Sequence, residues 1–221
     1  MNIFKAAILT FGYIIFTTLV GYLKYAFLSD NFVSQNDIFL LHTIDGLIIG
    51  FVLYIFFKTS KEEKPLKIKR DSLKLSIFAL ILGLGFIYIM TPLINLYAFF
   101  DKDLEVQLQY VELEQLYDLR WKILSSVLLF PIIEEFFFRG YIQQKLQARY
   151  SIYSVIISAV LFSIIHLKFY DMLFFGSMKS LIHVYVTFFG GLIAGGFYYI
   201  SKSLIPSIIF HIAWNLIATI T

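Results

Sequence analysis

The sequence predicts an all-α, polytopic transmembrane helical bundle of about seven spans, with six and eight as the bounds. Two observations predict it. Apolar residues make up 59% of the 221-residue chain and charged residues only 15%, with a mean hydropathy of +0.80. Soluble domains run at about 45–50% apolar and about 25% charged, so no water-soluble core of this size hides so much apolar surface. The apolar residues are also gathered into stretches near bilayer length, since a span needs about 20 residues rising about 1.5 Å each through a core about 30 Å thick.

Seven such stretches lie at 6–27, 38–57, 75–99, 121–138, 152–167, 181–200 and 203–220, the fifth and seventh being short. In hydrocarbon each must be a helix, because a lone strand leaves its backbone groups unpaired. The first follows Lys5 and resembles a signal sequence. Its apolar run is too long for one and no small-x-small cleavage site comes after it, so it is expected to be retained. The fourth and fifth are joined through the amphipathic stretch 140–150 and a turn at Tyr150–Ser151.

Charge distribution sets the expected orientation. The segment between the second and third spans holds Lys58, Lys61, Lys64, Lys67, Lys69, Arg70 and Lys74, whereas Leu28–Asp37 holds no Lys or Arg. A cytoplasmic N-terminus places twelve of the eighteen basic residues inside and six outside, as the positive-inside rule requires. The lysine-rich segment reads first as a topology determinant and second as a contact for anionic membrane lipid. The acidic segment 101–120 interleaves Leu104, Leu108, Val111 and Leu116 with carboxylates and suits either an interfacial helix or a solvated loop.

Composition excludes several functions. Cysteine is absent, which removes disulfides, thiol catalysis and cysteine metal sites. The basic residues sit in loops and form no nucleic-acid-binding face. No linker or internal repeat is visible, so residues 1–120 are expected to be accessory helices and residues 121–221 the functional core of one continuous membrane domain. Heavy use of Ile, Phe, Tyr and Lys suggests an AT-rich genome and a bacterial cell membrane.

Ionisable groups inside apolar spans cost roughly 2.5–3.5 kcal/mol on insertion scales and therefore need a partner, a hydrated cavity or a function. The fourth span ends in Phe130-Pro131-Ile132-Ile133-Glu134-Glu135-Phe136-Phe137-Phe138-Arg139-Gly140. Glu135 and Arg139, four apart, share a helix face and can pair. Glu134 projects about 100° away and is left free to titrate, as a general base working near neutrality must be. The competing reading is that both glutamates hold the bundle together. In the fifth span Phe162 and His166 share a face, and the hairpin count brings His166 to the depth of Glu134; alone, such a histidine reads as interfacial. In the seventh, His211 and Asn215 are four apart and can act as paired hydrogen-bond donors or as a polar clamp between helices. Gly190-Gly191 and Gly195-Gly196 permit close helix approach. His42, Asp45 and His183 read as structural or accessory.

Glu134-Glu135-xxx-Arg139, Phe162-xxx-His166 and His211-xxx-Asn215 together resemble the motifs of the CPBP family, which includes type II CAAX prenyl endopeptidases and bacterial Abi proteins, some linked to bacteriocin processing or immunity. The resemblance covers residues 120–220 in order, spacing and membrane setting. It implies an intramembrane endopeptidase in which Glu134 and His166 hold and deprotonate the attacking water, His211 and Asn215 supply an oxyanion hole, and Glu135, Arg139 and Phe162 support them. For part of the family it implies a metalloprotease, with zinc on Glu134, His166 and His211. No HExxH, GxSG or GxGD motif offers another hydrolytic set. The expected partners are a peptide or small membrane-protein substrate, a bacterial leader peptide before a prenylated one, cleaved near the cytoplasmic side. A non-catalytic regulator or bacteriocin-immunity protein keeping the same fold is the alternative, and a small proton-coupled transporter the third.

Overall fold

The computed structural model describes residues 1–28, 35–59, 70–100, 120–167 and 181–220, and every element among them is helical. In chain order these are α1 (Ile3–Leu28), α2 (Gln35–Thr59), α3 (Arg70–Leu84) and α4 (Phe86–Phe100), then a run over 120–150 that changes winding along its length. That run comprises α5 (Arg120–Lys122), a π-helix (Ile123–Leu129), α6 (Phe130–Glu135), a second π-helix (Phe136–Gln143) and α7 (Gln144–Tyr150). α8 (Tyr153–Ile164), α9 (Leu181–Ser201) and α10 (Leu204–Ile220) complete the bundle. The segment 101–119, for which an interfacial helix is one of two expectations, lies outside the described residues, as do 29–34 and the centre of the lysine-rich segment, 60–69.

Helix length alone accounts for fewer crossings than seven. Among the described residues two helices, Ile3–Leu23 within α1 and all of α9, are long and apolar enough on their own, and α3 with α4 makes a third if the pair counts as one span. The stretch 75–99 is thus two helices bent by 48°, meeting at Gly85. The remaining apolar helices are shorter: Leu40–Phe56, α8 and α10. Outward faces of α1 to α4 carry large apolar side chains such as Phe4, Phe11, Phe51, Phe78 and Tyr88, which a bilayer covers and water does not.

Between apolar helices in lipid, association depends on tight packing and hydrogen bonds instead of on water exclusion. Gly83 of α3 shows this: a Cβ there would lie 2.6 Å from the Phe210 carbonyl and 2.7 Å from Ala213 Cβ, so only glycine lets α3 meet α10 so closely. Two clusters form the interior. One joins Tyr13 of α1, Ile49 and Leu53 of α2, Phe137, Phe138, Tyr141 and Ile142 of the second π-helix, and Phe162 of α8. The other joins Ala79, Phe86 and Met90 to Phe197 and Phe210. Trp214 packs against both, and the ionisable side chains lie where it does so. The apolar core therefore runs across the boundary at residue 120 without a break.

Candidate active site

Residues 130–135 lie in one short α-helical segment between two π-helices. A π-helix bonds i to i+5 and shifts the angular phase of the residues after it, and such insertions recur at functional sites. Glu134 and Glu135 leave this segment in different directions. Glu135 is fully buried; Glu134 retains 13% side-chain exposure and faces a cavity.

Glu135 is tied to two partners. Its Oε1 lies 3.3 Å from Arg139 Nη1 and accepts a hydrogen bond of 3.0 Å from His211 Nδ1. Arg139, also fully buried, donates through Nη2 to the Gly191 carbonyl at 3.0 Å and lays its guanidinium 4.5 Å from the Phe162 ring centre. One turn on, Gln143 repeats the pattern by donating to the Gly195 carbonyl at 2.8 Å. Two rungs thus join the second π-helix to α9, and a glycine lies at the acceptor end of each. A Cβ on Gly191 would lie 3.1 Å from the Phe162 ring, and one on Gly195 would lie 2.9 Å from Gln143 Oε1.

His211 is oriented on every side. Its Nδ1 is held by Glu135, its Nε2 lies 3.8 Å from Glu134 Oε2, Trp214 stacks on it at 5.3 Å, and the edge of Phe162 meets it at 5.5 Å. Because Nδ1 gives its proton to a carboxylate, Nε2 is the nitrogen left to face Glu134: a lone pair when the ring is neutral, an N–H when it is protonated. His166 is fixed in the same sense, since its Nδ1 lies 3.1 Å from the Phe162 carbonyl, an acceptor. That carbonyl belongs to the last turn of α8, where intrahelical donors run out, so the ring closes the helix end and leaves Nε2 as an acceptor. Asn215 donates through Nδ2 to the Ser126 carbonyl at 2.8 Å.

Glu134, His166, His211 and Asn215 line one cavity of about 360 Å³, with Ser126, Phe130, His183, Val186, Thr187, Trp214 and Ala218. The structure therefore brings the four side chains from three separate helical runs to one space. It gives His211 and Asn215 separate anchors, Glu135 and Ser126. Phe162 touches Arg139, His166 and His211 at once, whereas His42 and Asp45 lie 3.7 Å apart on α2 and do not line the cavity. His183 does line it, although its isolated position in the sequence reads as accessory. Trp214 is among the lining residues the sequence does not single out; Gly190 packs directly against it, since a Cβ there would sit 2.4 Å from the indole.

Zinc is bound tetrahedrally by nitrogen and oxygen donors at about 2.0–2.2 Å. Glu134, His166 and His211 are the right donor types, and both rings have the Nδ1 anchor that orients a metal ligand. Among the described residues, however, no three His, Asp or Glu side chains are grouped closely enough to share one ion. The set as arranged does not fit zinc, and the reaction is derived without a metal.

Comparison with known proteins gives one finding. Residues 117–217 match the family described as type II CAAX prenyl endopeptidase Rce1-like. The match takes in Glu134, His166, His211 and Asn215, with Ala218 just beyond it, and supports a likeness of this part of the chain to the CPBP/Rce1-like intramembrane proteases. No curated protein and no solved structure matches the chain.

Proposed function

We propose, from residues 117–217 being an Rce1-like domain, that this chain is an intramembrane endopeptidase that hydrolyses a peptide bond with a water activated by Glu134 and His166. The observation that carries the reading is the shared cavity: four hydrogen-bonding side chains from three helical runs face one space inside an otherwise apolar bundle.

The chemistry rests on what each atom has left to offer. Water in the cavity gives one proton to a Glu134 oxygen and is aligned by His166 Nε2, the free acceptor. Its oxygen attacks the peptide carbonyl carbon, and the carbonyl electrons pass to oxygen. That oxyanion needs donors already in place. Asn215 has a second N–H beyond the one given to Ser126, and protonated His211 has Nε2–H. Glu135 holds that ring through Nδ1, and Arg139, 3.3 Å from the same carboxylate oxygen, keeps Glu135 aligned. Collapse of the tetrahedral intermediate breaks the C–N bond, and the departing amine takes its proton from Glu134.

Substrates are membrane-associated or leader-bearing peptides, and the lipid bilayer is the second partner. Positive-inside counting places the Met1 end in the cytoplasm of a bacterial cell membrane. Cleavage of a leader-bearing peptide by the purified chain is the test. Glu134→Ala and His166→Ala each abolish it while leaving thermal unfolding in detergent unchanged; full activity in both variants would end the assignment.

A further inference from the structure

The cavity and the cations Lys145, Arg149 and Lys202 lie at opposite ends of the bundle. At one end the Met1 amine donates to the Lys145 carbonyl at 3.2 Å, and Ser151 hydrogen-bonds Tyr199 at 3.2 Å. Lys145 lies over Tyr141, Arg149 over Tyr150 and Lys202 over Tyr199, the aromatic-and-cation pattern of a membrane interface. The cavity is reached by moving away from that end along three helices. At about 1.5 Å per residue, His166 is ~22 Å beyond Ser151, Ala218 is ~21 Å beyond Leu204, and His183 is ~27 Å before Ser201. Positive-inside counting on the sequence assigns twelve of the eighteen basic residues to the Met1 side, Arg139 of the buried pair among them, while the stretch leading into α5 carries Asp101, Asp103, Glu105, Glu112, Glu114 and Asp118.

We infer that the cavity opens on the extracytoplasmic face, and that its substrates are exported peptides whose scissile bond is presented at the outer side of the membrane. This rests on the proposed peptidase for the word substrate, but not for the side. It replaces the cytoplasmic-side cleavage expected from sequence alone, and it removes cytoplasmic prenylated proteins from the candidates.

The chain has no cysteine, so single introduced thiols report the side without background. Ala218→Cys lies at the cavity, Lys122→Cys at the same end outside it, and Ala148→Cys at the basic end. In intact bacterial cells expressing the full chain, a membrane-impermeant methanethiosulfonate is expected to modify the first two, and to reach Ala148→Cys only after permeabilisation. The reverse pattern overturns the inference, and if Ala218→Cys is out of reach Lys122→Cys alone decides. The readout needs no catalysis, so an inactive protein with this pattern refutes the peptidase and leaves the side standing.

A second observation stands independently. Through the first π-helix each N–H reaches back five residues, and the last of these bonds runs from Phe130 N–H to the Ser125 carbonyl. The next would run from residue 131 to the Ser126 carbonyl, but residue 131 is proline and has no N–H. Ser126 is therefore left without its helical donor, and it is this carbonyl that Asn215 Nδ2 meets at 2.8 Å. The geometry points to Pro131 as a positioning residue: by withholding one backbone donor it creates the acceptor that fixes the Asn215 amide, leaving the amide's second N–H for the oxyanion. Pro131→Ala restores the competing donor. The expected result is a loss of about tenfold in kcat, smaller than the roughly 10²–10³ for removing an oxyanion donor outright, with KM little changed and thermal stability no lower. In protein carrying ¹⁵N-labelled asparagine, the two Asn215 amide protons, distinct in the wild type, move together. Unchanged kcat and an unchanged amide signature overturn the role; the NMR signature reads it even if no peptide is cleaved.

Discussion

Removing Arg139 separates the cost of burying an ion pair from its use. Glu135 and Arg139 are both 0% exposed. Arg139→Leu leaves a carboxylate deep in the bundle with only His211 beside it, and also deletes the bond to the Gly191 carbonyl and the contact with Phe162. Breaking one partner of a buried pair costs about 3–5 kcal/mol, whereas replacing both by apolar residues is often close to neutral. Glu135→Leu added to Arg139→Leu should therefore recover most of the lost stability, a non-additivity far outside the few tenths expected of independent sites. Activity should not return, because His211 Nδ1 no longer has its acceptor and the ring loses the orientation that aims Nε2 at Glu134. Thermal unfolding in detergent and peptide cleavage, measured on both single variants and the double, read the two effects. Additive destabilisation, or a double variant that cleaves at the wild-type rate, would refute the reasoning.

Three further outcomes are expected from the same geometry. Gly190→Ala drives a methyl into the Trp214 indole, and overpacking of this kind costs about 1–3 kcal/mol; Gly196→Ala, with nothing within 4 Å, is expected to unfold at the wild-type temperature. Asn215→Ala should lower kcat by about 10²–10³, the range for losing one oxyanion donor, as measured by steady-state cleavage. Chelator treatment of the purified protein should leave both cleavage and unfolding temperature unchanged, and zinc added back should not raise the rate.

The site is legible in sequence because charge is conspicuous in hydrocarbon. Glu134, Glu135, Arg139, His166, His211 and Asn215 stand out against spans with few other ionisable groups, and the i, i+4 spacings indicate which pairs share a face. Sequence does not show who meets whom across helices. Spacing along one helix sets His211 and Asn215 on one face, and only the fold shows that His211 is held by Glu135 and Asn215 by a backbone carbonyl 89 positions away. The two π-helices are equally hidden, since a one-residue change in winding leaves no mark in a stretch apolar on nearly every side. Trp214 is lost among many aromatic residues for the same reason. Residues 75–99 read as one helix because hydropathy is continuous through them, while Gly85 bends the backbone without interrupting the apolar run.

The most direct measurement is hydrolysis in H₂¹⁸O. Wild-type protein cleaving a leader-bearing peptide should place ¹⁸O in the newly formed carboxylate, seen by mass spectrometry, and Glu134→Gln should form that product at least about 10²-fold more slowly, as expected for loss of a general base. Product formed by Glu134→Gln at the wild-type rate would contradict the account.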